Sequence, residues 1–135
     1  MTPRMCLVLA GVLGALGIAL GSFGAHALPG ILKNRGVVED AFPEREKWFE
    51  TGVRYHLVHA LAMLALAVAG TRPWPSSFGV VSVCWLVGIL IFSGCLYAMA
   101  LSGVRVLGAI VPLGGVAFII GWTAVVVGAW STQAQ

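Results

Sequence analysis

All five carboxylates of this 135-residue chain lie between Glu39 and Glu50. Around them run long apolar stretches: residues 5–28, 78–101 and 106–130 hold no Asp, Glu, Lys or Arg, and residues 53–70 hold only Arg54. A bilayer core of about 30 Å needs roughly 20 helical residues. Hydrocarbon offers a main-chain amide no partner, so such stretches must coil into helices. The chain is 59% hydrophobic and 10% charged, against about 25% charged in an ordinary soluble domain. The fold expected is therefore all-α: a single integral membrane domain, a four-helix bundle. Its spans cover about 5–28, 53–70, 78–101 and 106–130, with a polar loop at 30–52 carrying an amphipathic helical segment.

Proline and glycine place the boundaries. Pro29-Gly30 is expected to stop the first helix. Pro43 suits the first turn of a new, amphipathic helix with Trp48 and Phe49 as interfacial anchors. Glu50 and Arg54 are spaced for a favourable i,i+4 pair, and Glu46–Glu50 for a like-charge one. Pro112 falls inside the fourth run and is expected to kink it. Only Ser102 to Arg105 separate the last two runs, which implies antiparallel neighbours. Arg4 followed by an apolar run and Ala25-His26-Ala27 imitates a cleavable secretory signal. The run exceeds the usual signal core of roughly 7–15 residues, so a retained span is expected.

Lipid is as apolar as leucine, so water exclusion cannot drive one span onto another, and small residues must let backbones approach. Gly114, Ala117, Gly121, Ala124 and Gly128 recur at steps of three and four, the period of a left-handed seam. The first run has a similar ridge at Gly11, Gly14, Gly17, Gly21 and Gly24. Both ridges are expected to face inward. Cys6, Cys84 and Cys95 are scattered in apolar sequence and read as small hydrophobes, not as a disulfide framework.

The chain direction through four spans brings His26, Arg54, His56, His59, Ser93 and Tyr97 towards one face of the membrane. Ionisable residues within spans raise a functional question by default. Three readings compete. The first is a hydrogen-bonded network that fixes helix register. The second is a site for a small molecule, a proton or a lipid headgroup. The third is a metal site on His26, His56 and His59, which imidazole chemistry would suit, although no carboxylate or thiolate stands close in sequence to complete it. The network is preferred, since buried polar groups must find partners in lipid in any case. No carboxylate dyad and no H-E-x-x-H motif is present. Phe92-Ser93-Gly94 lacks the glycine two residues before the serine that a nucleophile motif would carry, because Ile91 stands there. A net charge of +3 without a basic stripe argues against nucleic-acid binding.

Four motifs complete the sequence reading: Phe23-Gly24-Ala25-His26-Ala27-Leu28, residues 51–62 from Thr51 to Ala62 with Arg54-Tyr55-His56 and His59, residues 88–97 from Gly88 to Tyr97, and Pro112-Leu113-Gly114-Gly115 through Gly121-Trp122. In this order they resemble the YgdD-type family of small membrane proteins, the domain-of-unknown-function family 423. The resemblance covers nearly the whole chain and implies a multi-pass protein of the bacterial inner membrane. It implies no biochemical activity. The matching positions are His26, Arg54, Tyr55, His59, Ser93, Gly94, Tyr97, Pro112, Gly114, Gly115 and Trp122. His56 stands where many relatives would carry Gln, which weakens a three-histidine metal site.

The expected role is thus a non-enzymatic accessory or interaction protein without a cofactor. Its partners would be membrane lipids, other membrane proteins or a second copy of itself. The alternative is a small transporter or a lipid- or ligand-binding protein using the His/Tyr/Ser cluster. Lys33, Arg35, Arg45, Lys47, Arg54 and Arg105 fall on one side of a four-span topology, and Arg4 and Arg72 on the other. Basic loops favour the cytoplasm, so both termini are expected outside. A tag fused to the C-terminus should be reachable by a membrane-impermeant reagent on whole cells; protection of that tag would reverse the orientation.

Overall fold

The computed structural model describes residues 1–69 and 77–132. Most of the proline-punctuated connection at 71–77 lies outside these residues, as does Gly70 at the end of the second expected span. Helix α1 spans Pro3–His26, α2 Leu28–Asn34 and α3 Phe42–Ala69. Helix α4 (Ser77–Gly88) passes through a π-helical turn at Ile89–Ser93 into α5 (Gly94–Ser102), and α6 spans Val111–Thr132. Among the described residues four helical stretches are long and apolar enough to cross a membrane: α1, α3, the α4–α5 unit and α6. The chain is an all-α, membrane-spanning helical bundle.

Two prolines, Pro29 and Pro112, act differently from the sequence expectation, while Pro43 sits in a first helical turn as expected; in all three places a first-turn proline loses no intrahelical hydrogen bond. Pro29 opens α2 and does not merely stop α1, which has already ended at His26. Pro43 opens a helix that continues without a break into the second span, so residues 43–50 are the first two turns of α3 and not a separate amphipathic segment. Pro112 is the second residue of α6, preceded by a 3-10 turn at Arg105–Ala109, and so falls at the start of the helix instead of kinking its middle. The N-terminus of α1 is capped by Thr2, whose hydroxyl accepts from the Met5 N–H at 3.2 Å.

The spans form two antiparallel pairs joined by α3. Helix α1 lies along α3, with Cys6 beside Met63 at one end and Gly24 beside Phe49 at the other. The α4–α5 unit lies along α6, while α3 packs on that unit near the π turn. The α6 ridge faces the third span. A side chain at Gly114 would run into the backbone nitrogen of Phe92, and one at Gly121 would lie 2.5 Å from the Trp85 indole. Reciprocally, Gly88 of α4 accommodates the Phe118 ring of α6. Gly128 is buried, and Ala117 and Ala124 are half-buried on the same helix. The α1 ridge faces α3 and not a shared centre. It is also shorter than expected: Gly17, Gly21 and Gly24 meet Leu57, Val53 and Phe49, but Gly11 and Gly14 have nothing within 4 Å of a Cβ position. Above them Cys6, Ala10 and Leu13 carry the contact. Assignment of Gly14 to helix contact is therefore corrected; a regular glycine ladder cannot reveal where its partner changes from glycine-filling side chains to ordinary ones.

The polar loop closes one end of the bundle. Leu28 and Leu32, one turn apart on α2, are fully buried with Phe49 and Ala100, and Trp48 packs against this cluster. The last carbonyls of a helix have no intrahelical donor. Here Arg35 donates to the Leu101 carbonyl at 3.1 Å and Arg45 to the Ala100 carbonyl at 3.2 Å. Cations at this end also favour the helix dipole. Gly103 ends α5 with φ 74°, and the Arg45 guanidinium occupies the space a side chain there would need. Arg105 pairs with Glu44 at 2.6 Å, tying the third connection to the start of α3. Loop one and the third connection thus share one side.

These contacts rank the glycines. Gly114→Ala should lower the melting temperature in detergent most, by about 1–3 kcal/mol of overpacking, because backbone cannot swing aside. Gly14→Ala should leave melting unchanged or raise it slightly, since helical glycine costs about 1 kcal/mol against alanine. Thermal unfolding that ranks the two variants the other way would contradict this helix arrangement.

Candidate functional site

Helix α3 directs its histidines into the bundle. His56 and His59, three residues apart, are both buried at 4% exposure. His59 is fully engaged. Its Nδ1 lies 2.8 Å from the Tyr55 carbonyl, which can only accept, so Nδ1 carries the proton. Its Nε2 lies 3.1 Å from the Trp122 indole nitrogen, which can only donate, so Nε2 accepts. The two partners together fix the neutral imidazole in one tautomer. The Phe118 ring covers one face, stacked at 3.5 Å between centroids and 12° between planes. Tyr55, Trp85 and Trp122 complete an aromatic surround.

His56 sits one turn nearer loop one. Its Nδ1 is 3.2 Å from the Tyr97 hydroxyl of α5. Its Nε2 is buried and lacks a hydrogen bond of good geometry, although the ring lies against the Leu13 backbone of α1. Gly52 gives the Tyr97 ring its place: a Cβ there would lie 2.8 Å from the ring edge. Ser93, at the end of the π turn, is fully buried with its hydroxyl unpaired, as is the Trp85 indole nitrogen. A π turn adds one residue to a helical turn and is common where a helix departs from regularity for a reason. Here it runs through Phe92, whose backbone meets Gly114 and whose ring lies 4.5 Å from Tyr55.

The six sequence candidates therefore separate. His56, His59 and Tyr97 converge in the core, with Ser93 buried in the neighbouring π turn. His26 and Arg54 are exposed and stand outside this network. The reason is angular: His26 ends α1 on a face turned from α3, and Arg54 lies two residues from His56 on the opposite side of α3. Among the described residues no three His, Cys, Asp or Glu side chains converge as metal ligands would. The partners that sequence reasoning missed as site residues are aromatic: Trp85, Phe92, Phe118 and Trp122. Their signal was available, since Phe118 and Trp122 are one turn apart on α6 and Trp85 and Phe92 two turns apart on the third span.

These features define a class: a small multi-pass membrane protein whose spans meet around a buried histidine with an aromatic enclosure. The chain belongs to the family described as a protein of unknown function, DUF423, whose pattern matches residues 20–115. It is 42% identical over 129 residues to the UPF0382 inner membrane protein YgdD of Escherichia coli strain K12, covering 96% of this chain and 92% of that one. It is 38% identical over 129 residues to the UPF0382 membrane protein YwdK of Bacillus subtilis strain 168, covering 93% and 96%. A UPF0382 membrane protein of Haemophilus influenzae is 36% identical over 128 residues, covering 94% of each chain. No solved structure matches. With four spanning-capable helices and these relatives, the chain is a multi-pass protein of the bacterial inner membrane.

Trp122→Phe keeps the ring but removes the donor to His59. Interhelical hydrogen bonds in membranes are worth about 0.6–2 kcal/mol, so the variant should melt measurably lower than the parent. His59→Phe removes the polar ring as well and should make Trp122→Phe nearly neutral when the two are combined. Additive losses in that double-mutant cycle would show that the two side chains do not act as a pair.

Proposed function

We propose that this protein works as a non-enzymatic accessory component of the inner membrane, offering its outer surface to lipids and to other membrane proteins, a second copy included. One observation carries the reading: His59, buried at the α3–α6 contact, has both ring nitrogens committed and one ring face covered by Phe118. A group in that state has no free lone pair for a metal and no free proton path. General acid–base work needs a group within hydrogen-bond reach of a reacting atom. The extended apolar faces of α1 and α6 are the surface on offer, with Ile18, Ile119 and Val126 among their most exposed side chains.

A second reading has its own support. The Ser93 hydroxyl and Trp85 nitrogen, without partners, and the His56 Nε2, held only weakly against the Leu13 backbone, are buried polar atoms of the kind that host a small polar guest in a ligand-binding or transport protein. Native mass spectrometry of the full chain released from detergent separates the two. The accessory reading expects lipid adducts or protein assemblies and no stoichiometric metal or polar small molecule. A polar guest retained one-to-one by the parent and lost from His56→Phe would overturn it in favour of the second reading.

A further inference from the structure

A surface cleft at the loop-one end of the α1–α3 pair lies apart from the histidine core. Its deeper part encloses about 300 Å³ between Gly21, Gly24 and Ala25 of α1 and Glu50, Val53 and Arg54 of α3. It continues outward into a space of about 140 Å³ bordered by Pro29 and Glu46. Glu46, Glu50 and Arg54 thus line one continuous cleft at successive helical turns, each step rising about 6 Å. Arg54 is the last Lys, Arg, Asp or Glu before the apolar remainder of α3, and the two carboxylates lie towards the polar loop.

Among the described residues the charges in this cleft form no ion pair. Among the described residues the ion pair formed is Arg105–Glu44, and the Glu50–Arg54 pair expected from their spacing is absent. An anion and a cation one turn apart, opening into the same cleft without closing on each other, leave room for a ligand of the complementary dipole. That ligand would carry an anion at the deeper end and a cation at the outer end. In a phospholipid leaflet the phosphate lies next to the acyl chains and the headgroup amine lies further out, the same order as Arg54 and then Glu50 and Glu46.

We propose that this cleft binds the headgroup of an amine-bearing zwitterionic phospholipid, with its phosphate at Arg54 and its ammonium at Glu50 and Glu46. A guanidinium offers paired donors to phosphate oxygens. A primary ammonium offers three N–H donors to carboxylates, whereas a quaternary choline offers none. The cleft therefore selects ethanolamine-type headgroups over choline-type ones, and the carboxylates disfavour headgroups that are purely anionic. Gly21, Gly24 and Ala25 keep the wall low enough for a glycerol backbone to approach. The site is independent of the His59 core, so the accessory reading stands or falls separately.

The full chain is reconstituted with equal amounts of phosphatidylethanolamine, phosphatidylcholine and phosphatidylglycerol, and lipid retained on release is read by native mass spectrometry. Phosphatidylethanolamine should be retained about three- to tenfold over either competitor, the range of roughly one charge-assisted contact in a half-exposed site. Glu46→Gln with Glu50→Gln should abolish that preference, and Arg54→Gln should lower retention of phosphatidylethanolamine and phosphatidylglycerol together. Ala25→Leu fills the exposed cleft wall without altering charge and should also lower phosphatidylethanolamine retention. Equal retention of the three lipids by the parent, preference for phosphatidylglycerol, or an ethanolamine preference that survives in the double glutamine variant would overturn the proposal. The parent's selectivity needs no variant, so a misfolded substitution leaves the test decisive.

Discussion

In hydrocarbon no water competes for a main-chain amide, and no hydrophobic force pulls one apolar helix onto another. The first condition makes each span helical. The second leaves its association to close contact between small residues and rings. Gly88, Gly114 and Gly121 take Phe118, the Phe92 backbone and Trp85; Gly17, Gly24 and Gly52 take Leu57, Phe49 and Tyr97. Dispersion at such short range is weak per atom pair and large in sum. The bundle is thus a set of close contacts seated on glycines, four of these six made by rings, and α3 is the helix that takes part in both halves.

The histidine core follows from the same condition. A polar side chain inside a span has protein groups as its available partners. His59 takes a carbonyl on its own helix and an indole from α6, so one residue ties α3 to the last span. Neighbouring hydroxyls use the nearest backbone: Ser82 bonds the Phe78 carbonyl at 2.9 Å and Thr123 the Ile119 carbonyl at 2.9 Å. At the loop-one end the solution changes from rings to charge, because water and headgroups are within reach. There Arg35 and Arg45 cap the carbonyls that α5 leaves open, and α2 seals the end with Leu28 and Leu32.

The presence of four spanning-capable helices was legible because apolar run length has one dominant physical cause. The roles of Pro29 and Pro112 were not, since a proline beside a helix end reads equally as a stop or a start until the neighbouring residues are placed. The π turn at Ile89–Ser93 leaves no mark in composition, although its Phe92 meets Gly114 across the interface. Spacing showed that His56 and His59 share a face, but not that His26 and Arg54 point away, because a common depth in the membrane says nothing of direction around a helix. The Glu50–Arg54 spacing permitted an ion pair that the side chains do not make. Spacing alone gives proximity, not a closed pair.

The account depends most on His59 being a saturated, neutral joint between α3 and α6. Nitrogen-15 NMR of the histidine-labelled chain in lipid bicelles reads this directly. The account predicts a single His59 tautomer with the proton on Nδ1, an unprotonated Nε2, and a through-space contact from the Trp122 indole proton to that ring. A proton on Nε2, or an average of two exchanging tautomers, would contradict it.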